Sequence, residues 1–177
     1  GQPLKAFTHR MSLVSVALLL LQGCGSVSMQ SVRDPSFSDP VHNLFVIINH
    51  SQLDTVDPAY TPYLVTALKE ELTAKGVEME IRVVNALTLD ENVSAAEIAS
   101  YKPDGVLTVV ATGGVVGQYG GALRIAYDVS LYDTAKHKRI WRARLQASGG
   151  PNVQEKRMKM LAQDLVKRLD EEKLISS

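Results

Sequence analysis

This sequence predicts an α+β domain, a mixed sheet of about five strands with helices packed on it in the order β-α-β-α-β-β-β-α. Three observations carry that expectation. Val41 to Asn49 (VHNLFVIIN) is a near-continuous apolar run, as in a strand covered on both faces. Alternation follows over Val77 to Val84 and again over Ala122 to Tyr132 and Arg139 to Ala147, the period of half-buried strands. Two segments, Thr61 to Gly76 and Asn152 to Leu169, instead place their apolar residues at helical spacing.

The elements follow in order. Strand 41–49 belongs in the interior of the sheet. A loop with His50, Asp54 and Asp57 leads to Thr61-Pro62, where a hydroxyl N-cap and a proline at the first helical position open a helix. Leu64, Val65, Leu68 and Leu72 form its buried stripe, and Gly76 stops it. In Val77 to Val84, Met79, Ile81 and Val83 face inward while Glu78, Glu80 and Arg82 face water. Ser94 and Glu97 make a capping box for a short helix that ends before Pro103. Gly105 to Ala111 is an apolar strand. It turns through a glycine-rich stretch into Ala122 to Tyr132, which buries Ile125, Tyr127, Val129 and Leu131. The polar turn 133–138 returns the chain as Arg139 to Ala147 with Trp141, Ala143, Leu145 and Ala147 inward. A last helix, capped by Asn152 and Glu155, buries Met158, Leu161, Ala162, Leu165, Val166 and Leu169.

The residues ahead of this domain have a different character. Lys5 and Arg10 precede an apolar run from Leu13 to Leu21, with the small Gly23 before the lone cysteine, Cys24. A basic segment, a short apolar segment and a small residue make a secretory signal, and the run falls short of the roughly 20 residues that span a bilayer. Residues 25–40 are rich in Ser, Asp and Pro without apolar period, which predicts a flexible tether over 24–40 and a single domain over 41–177. Removing residues 1–23 leaves 17 basic against 19 acidic side chains, so long-range attraction to nucleic acid is not supported.

Leu21-Gln22-Gly23-Cys24 resembles the lipobox of bacterial lipoproteins. The resemblance implies cleavage between Gly23 and Cys24, a diacylglycerol on the Cys24 thiol and an acyl chain on its new amino group. Two or more chains hold a protein on a membrane where one does not. Gly25, rather than Asp, then favours the outer membrane, by resemblance to enterobacterial sorting.

Three groups of residues are candidates for function. The glycines of Gly113 to Gly121 (GGVVGQYGG) invite a phosphate-cradle reading, but the stretch lacks a Gly-Lys-Ser/Thr ending and lies between strands rather than before a helix. A long hairpin tip exposing Val115, Val116 and Tyr119 to a partner is the expectation. His50 with Asp54 and Asp57 is the best cluster for a cation or a general base, against which stands a solvated loop before a helix N-terminus. No histidine has a second ligand at metal-binding spacing, and Ser51 sits in no nucleophile elbow. Arg124, Arg142 and Arg144 are expected side by side on the outer sheet face, about 5 Å apart and partly neutralised by Asp128, as a strip for acidic polymer, anionic headgroups or a partner protein.

The helix TPYLVTALKEELTAKG, the strand entry KPDGVLTVVA and the turn YDTAKHKRIW are similar to those of a group of bacterial envelope lipoproteins. The group comprises the curli secretion lipoprotein, the activators of penicillin-binding proteins, the Pel polysaccharide lipoprotein and the N-terminal domain of the Tol-system propeller protein. In the turn, Lys136-His137-Lys138 replaces the group's Thr-Gly-Lys. The resemblance implies a non-enzymatic module on the periplasmic side of the outer membrane, with no cofactor beyond its lipid and with an envelope protein or a second copy as partner. An envelope hydrolase using His50 and Asp54, or a carrier of small ligands, are the alternatives.

Overall fold

The computed structural model describes residues 26–84, 93, 95–117, 122–149 and 153–176. Six strands form one sheet: β1 (Ser26–Arg33), β2 (Asn43–Asn49), β3 (Glu78–Val84), β4 (Gly105–Val116), β5 (Ala122–Asp133) and β6 (Lys138–Ser148). Their spatial order is β1-β6-β5-β4-β2-β3. β2 runs parallel to β3 and β4, and the pairs β4/β5, β5/β6 and β1/β6 are antiparallel. Helices α1 (Tyr60–Ala74) and α3 (Gln154–Glu171) pack on one face, and the short α2 (Ala95–Tyr101) lies on the other.

The α+β architecture is as predicted, with one strand more. The additional strand is β1, formed by residues read from composition as part of a flexible tether. It pairs with β6 over its whole length, Ser26 opposite Ser148 and Arg33 opposite Trp141. Polar side chains that composition assigns to solvent find partners at the end of α3 instead. Arg168 donates to Ser31 Oγ at 2.8 Å, and Ser31 donates to Glu172 Oε2 at 3.2 Å. Arg33 donates to the carbonyls of Glu172, Asp34 and Phe37 at 2.8, 3.0 and 2.7 Å. Trp141 Nε1 completes the cluster by donating to Glu172 Oε2.

The core lies between the sheet and the α1/α3 pair. Leu44, Val46 and Ile48 of β2, Leu107 and Val109 of β4, Tyr127 and Leu131 of β5 and Leu145 of β6 are all buried there. Leu64, Leu68 and Leu72 of α1 and Met158, Leu161, Leu165 and Leu169 of α3 meet them from above. Each such side chain contributes about 1.5–3 kcal/mol on burial. Gly76 adopts φ 72° just past α1, the left-handed stop that its position predicts. The helix itself opens differently from expectation. Ala59 precedes it without a side-chain cap, and Thr61 lies inside the first turn because its hydroxyl is engaged elsewhere. The capping pairs read from Ser94 and Asn152 fall outside the described residues.

Among the described residues, the opposite face is covered only at its β2/β3 side. Tyr101 of α2 meets Phe45 edge to face, ring centroids 5.8 Å apart, and Glu97 pairs with Arg82 at 3.3 Å. Across β5, β6 and β1 that face carries no helix among the described residues.

Candidate functional site

His50 directly follows β2 and is fully buried, at 0% exposure, rather than solvated. Its Nδ1 lies 2.8 Å from Thr61 Oγ1, and Thr61 donates onward to Asp54 Oδ1 at 2.8 Å. Because the threonine hydroxyl gives its proton to the carboxylate, His50 Nδ1 must be the protonated nitrogen. Nε2 is therefore the acceptor, and the buried Tyr127 hydroxyl stands 3.1 Å from it. Burial lowers the His50 pKa to about 4 and raises that of Tyr127. The ring is neutral near pH 7 with both nitrogens occupied, and it ties the end of β2 to the first turn of α1 and to β5. A general base needs a nitrogen within reach of a substrate proton. His50 presents none here, and its burial corrects the solvated-loop expectation.

Asp57 plays a local part. It accepts from the Ala59 amide at 3.0 Å and from Gln154 Nε2 at 2.9 Å, joining the entries of α1 and α3. Beside it Arg157, 1% exposed, lies 5.6 Å from the centre of the Tyr60 ring. No sequence motif marks Arg157, because a cation on the buried stripe of an amphipathic helix looks like an error of period. Among the described residues, no three His, Cys, Asp or Glu side chains stand together as metal ligands. No described helix is long and apolar enough to cross a membrane.

The glycine-rich hairpin continues β4 and β5 past the ends of β2 and β3, and β6 and β1 run level with it as far as Val115. Val115 is 49% exposed, opposite Arg124. Val116 pairs with Ala122 at the backbone, and Tyr119 lies outside the described residues. Gly114 is required by close approach, since a Cβ there would sit 2.5 Å from the Arg124 carbonyl oxygen. Between the hairpin base and the 50–57 loop is a cleft of about 240 Å3 lined by Leu53, Val56, Ala111, Val115 and Ile125. That is smaller than the roughly 300–1,000 Å3 of ligand pockets.

The three arginines share the outer sheet face but not one row. Arg142 lies opposite Ser130 and Arg144 opposite Asp128, to which it bonds at 3.4 Å. Arg124 lies opposite Ser148, two same-face positions along from the Asp128/Arg144 row, so the contiguous strip at about 5 Å spacing is not formed. Arg139 joins Arg142 and Arg144 instead, around a shallow hollow over β6 and β1 floored by Val32, which is 76% exposed. Neither Arg139 nor Arg142 makes an ion pair among the described residues. Cys24 and Gly23 lie outside the described residues; Ser26, two positions after Cys24, begins β1.

Among the described residues the molecule is thus an α+β body with one sheet face largely open. No protein-family model matches the sequence, and no curated protein matches it. Solved structures are similar to this chain. PelC from Paraburkholderia phytofirmans, described as a dodecamer, superposes with a TM-score of 0.51 at 14% identity, over 86% of this chain and 100% of that one. Lipoprotein GNA1162 from Neisseria meningitidis gives 0.42 at 18% identity, over 73% and 98%. Protein XCC0632 from Xanthomonas campestris gives 0.42 at 11% identity, over 79% and 94%.

Proposed function

We propose that this chain is a lipid-anchored, self-associating module of the bacterial cell envelope that works by contact rather than by turnover. The observation that carries the reading is the placement of Cys24 two residues ahead of the edge strand β1. A diacylglycerol and an acyl chain on Cys24 would hold the body directly by its sheet, on the periplasmic side of the outer membrane, without a long tether. The same end of the sheet carries the β4/β5 hairpin with its exposed Val115, since Ser26, Ser148, Arg124 and Val115 lie in successive register.

The dodecamer described for the PelC structure supports self-association, and the lipoprotein among the structural neighbours fits the lipobox. The occluded ring of His50 weighs against the hydrolase. The test is the mass of the detergent-extracted protein by light scattering across a concentration series. A discrete multimer is expected. A monomer at every concentration would remove self-association from the account.

A further inference from the structure

We propose that copies of this chain join head to tail, the β1/β6 edge of one receiving the β3 edge of the next, with Arg139 facing Glu80. The proposal deepens the self-association reading above and rests on it. β1 and β3 are the two outer strands of the sheet, about 24 Å apart at ordinary strand spacing. An outer strand with an unpaired side is a template for pairing. Following the pairings across the sheet, β1 runs antiparallel to β3. A rotation about an axis along the strands therefore brings β1 of one copy beside β3 of the next in antiparallel sense, the better-bonded arrangement.

Charge agrees with direction. The outer face at the β1 side offers Arg139, Arg142 and Arg144, while β1 itself presents only Ser26, Ser28, Gln30 and Val32 there. The β3 side offers Glu78 and Glu80, both exposed and without an ion pair among the described residues. One cation and one anion are also level, whereas Arg142 shares its row with Arg82, which pairs with Glu97. Arg139 pairs with Tyr132, Tyr132 with Val106, Val106 with Phe45 and Phe45 with Glu80, so one row of the sheet ends in a cation at one side and an anion at the other. Symmetry along the strands keeps that row at one height in every copy. Opposite charges at matched positions set register and exclude wrong pairings.

The anchor selects the symmetry. An isologous β1 to β1 pair has its two-fold axis across the strands, which puts the two Cys24 ends at opposite ends of an eight-residue strand, about 27 Å apart in height. The head-to-tail arrangement puts every Cys24 on one side, where a single membrane can take them all. Such a contact closes into a ring or continues as a filament.

The experiment uses the full chain carrying Arg139→Cys and Glu80→Cys together, treated in envelopes with a short bismaleimide. A ladder of dimer, trimer and larger species is expected, with each single variant no different from wild type, whose cysteine is Cys24 alone. A dimer from either single variant would show an isologous contact and overturn the proposal. A multimer by light scattering with no ladder would overturn the edge assignment and leave self-association standing, whereas a monomer would remove both. As a second arm, Arg139→Glu and Glu80→Arg should each reduce the multimer to monomer, and combining them should restore it. Two dissociated singles whose combination stays monomeric would also count against the pairing.

Discussion

His50 makes the stability of this protein depend on pH in a calculable way. Burial holds its folded-state pKa at about 4, against about 6.5 in the unfolded chain. A depressed histidine gives stability that is complete above the unfolded value and is lost as pH falls, because the unfolded chain takes up the proton first. The slope approaches 1.36 kcal/mol per pH unit below 6.5 and levels off near the folded pKa. Between pH 7.5 and 4.5 the loss is on the order of 2.5 kcal/mol. Asp34, whose carboxyl Lys138 and Ser36 hold well below the usual carboxylate range, acts only as pH falls below about 4 and leaves this window clear. The assay is urea unfolding at four pH values for wild type and for His50→Gln, with His50 titrated by NMR. Wild type should lose stability on acidification while the variant, less stable at pH 7.5, shows a flatter profile. Parallel profiles, or a His50 titration near pH 6.5, would refute the buried neutral ring and return the residue to candidacy as an accessible base.

Three further outcomes follow from single contacts. His137 sits at φ 52°, at the turn position where the resembling lipoproteins carry glycine, so His137→Gly should raise the unfolding free energy by up to about 1 kcal/mol; a lower Tm would contradict the strain. Gly114→Ala should cost about 1–3 kcal/mol and shift the amide resonances of Arg124 and Ile125, because its Cβ has no room; an unchanged Tm would refute the close approach. Arg33→Ala removes three hydrogen bonds from a charged donor and should cost about 2 kcal/mol. Amide exchange in β1 should then rise ahead of exchange in β5, and equal protection of both strands would show that the polar cluster does not hold the edge.

Much of the fold was legible because hydrophobic period is a local signal. Trp141, Ala143, Leu145 and Ala147 alternate inward as read, and the α3 stripe from Met158 to Leu169 is buried throughout. β1 was not, because its inward row passes from Val27 and Met29 to Ser31 and Arg33. Those last two are satisfied by Arg168 and Glu172, more than 130 residues away. The three serines of β1 and the prolines that follow read as a linker by composition. The state of His50 was hidden for the same reason, since Tyr127 reaches it across 77 positions. The offset of Arg124 from Arg144 depends on the turn length and on the register shift between Leu131 and Tyr132, which side-chain alternation does not report. What the residues did carry was the shared outward face of the arginines.

The central claim is that Cys24 fastens this body to the envelope. Fractionation of cells expressing the wild-type chain and Cys24→Ser tests it most directly. The account predicts wild type in the membrane pellet, extracted only by detergent and labelled by fatty acid, with the serine variant unlabelled and released from that pellet. Equal sedimentation of both, or an unlabelled wild type, would contradict it.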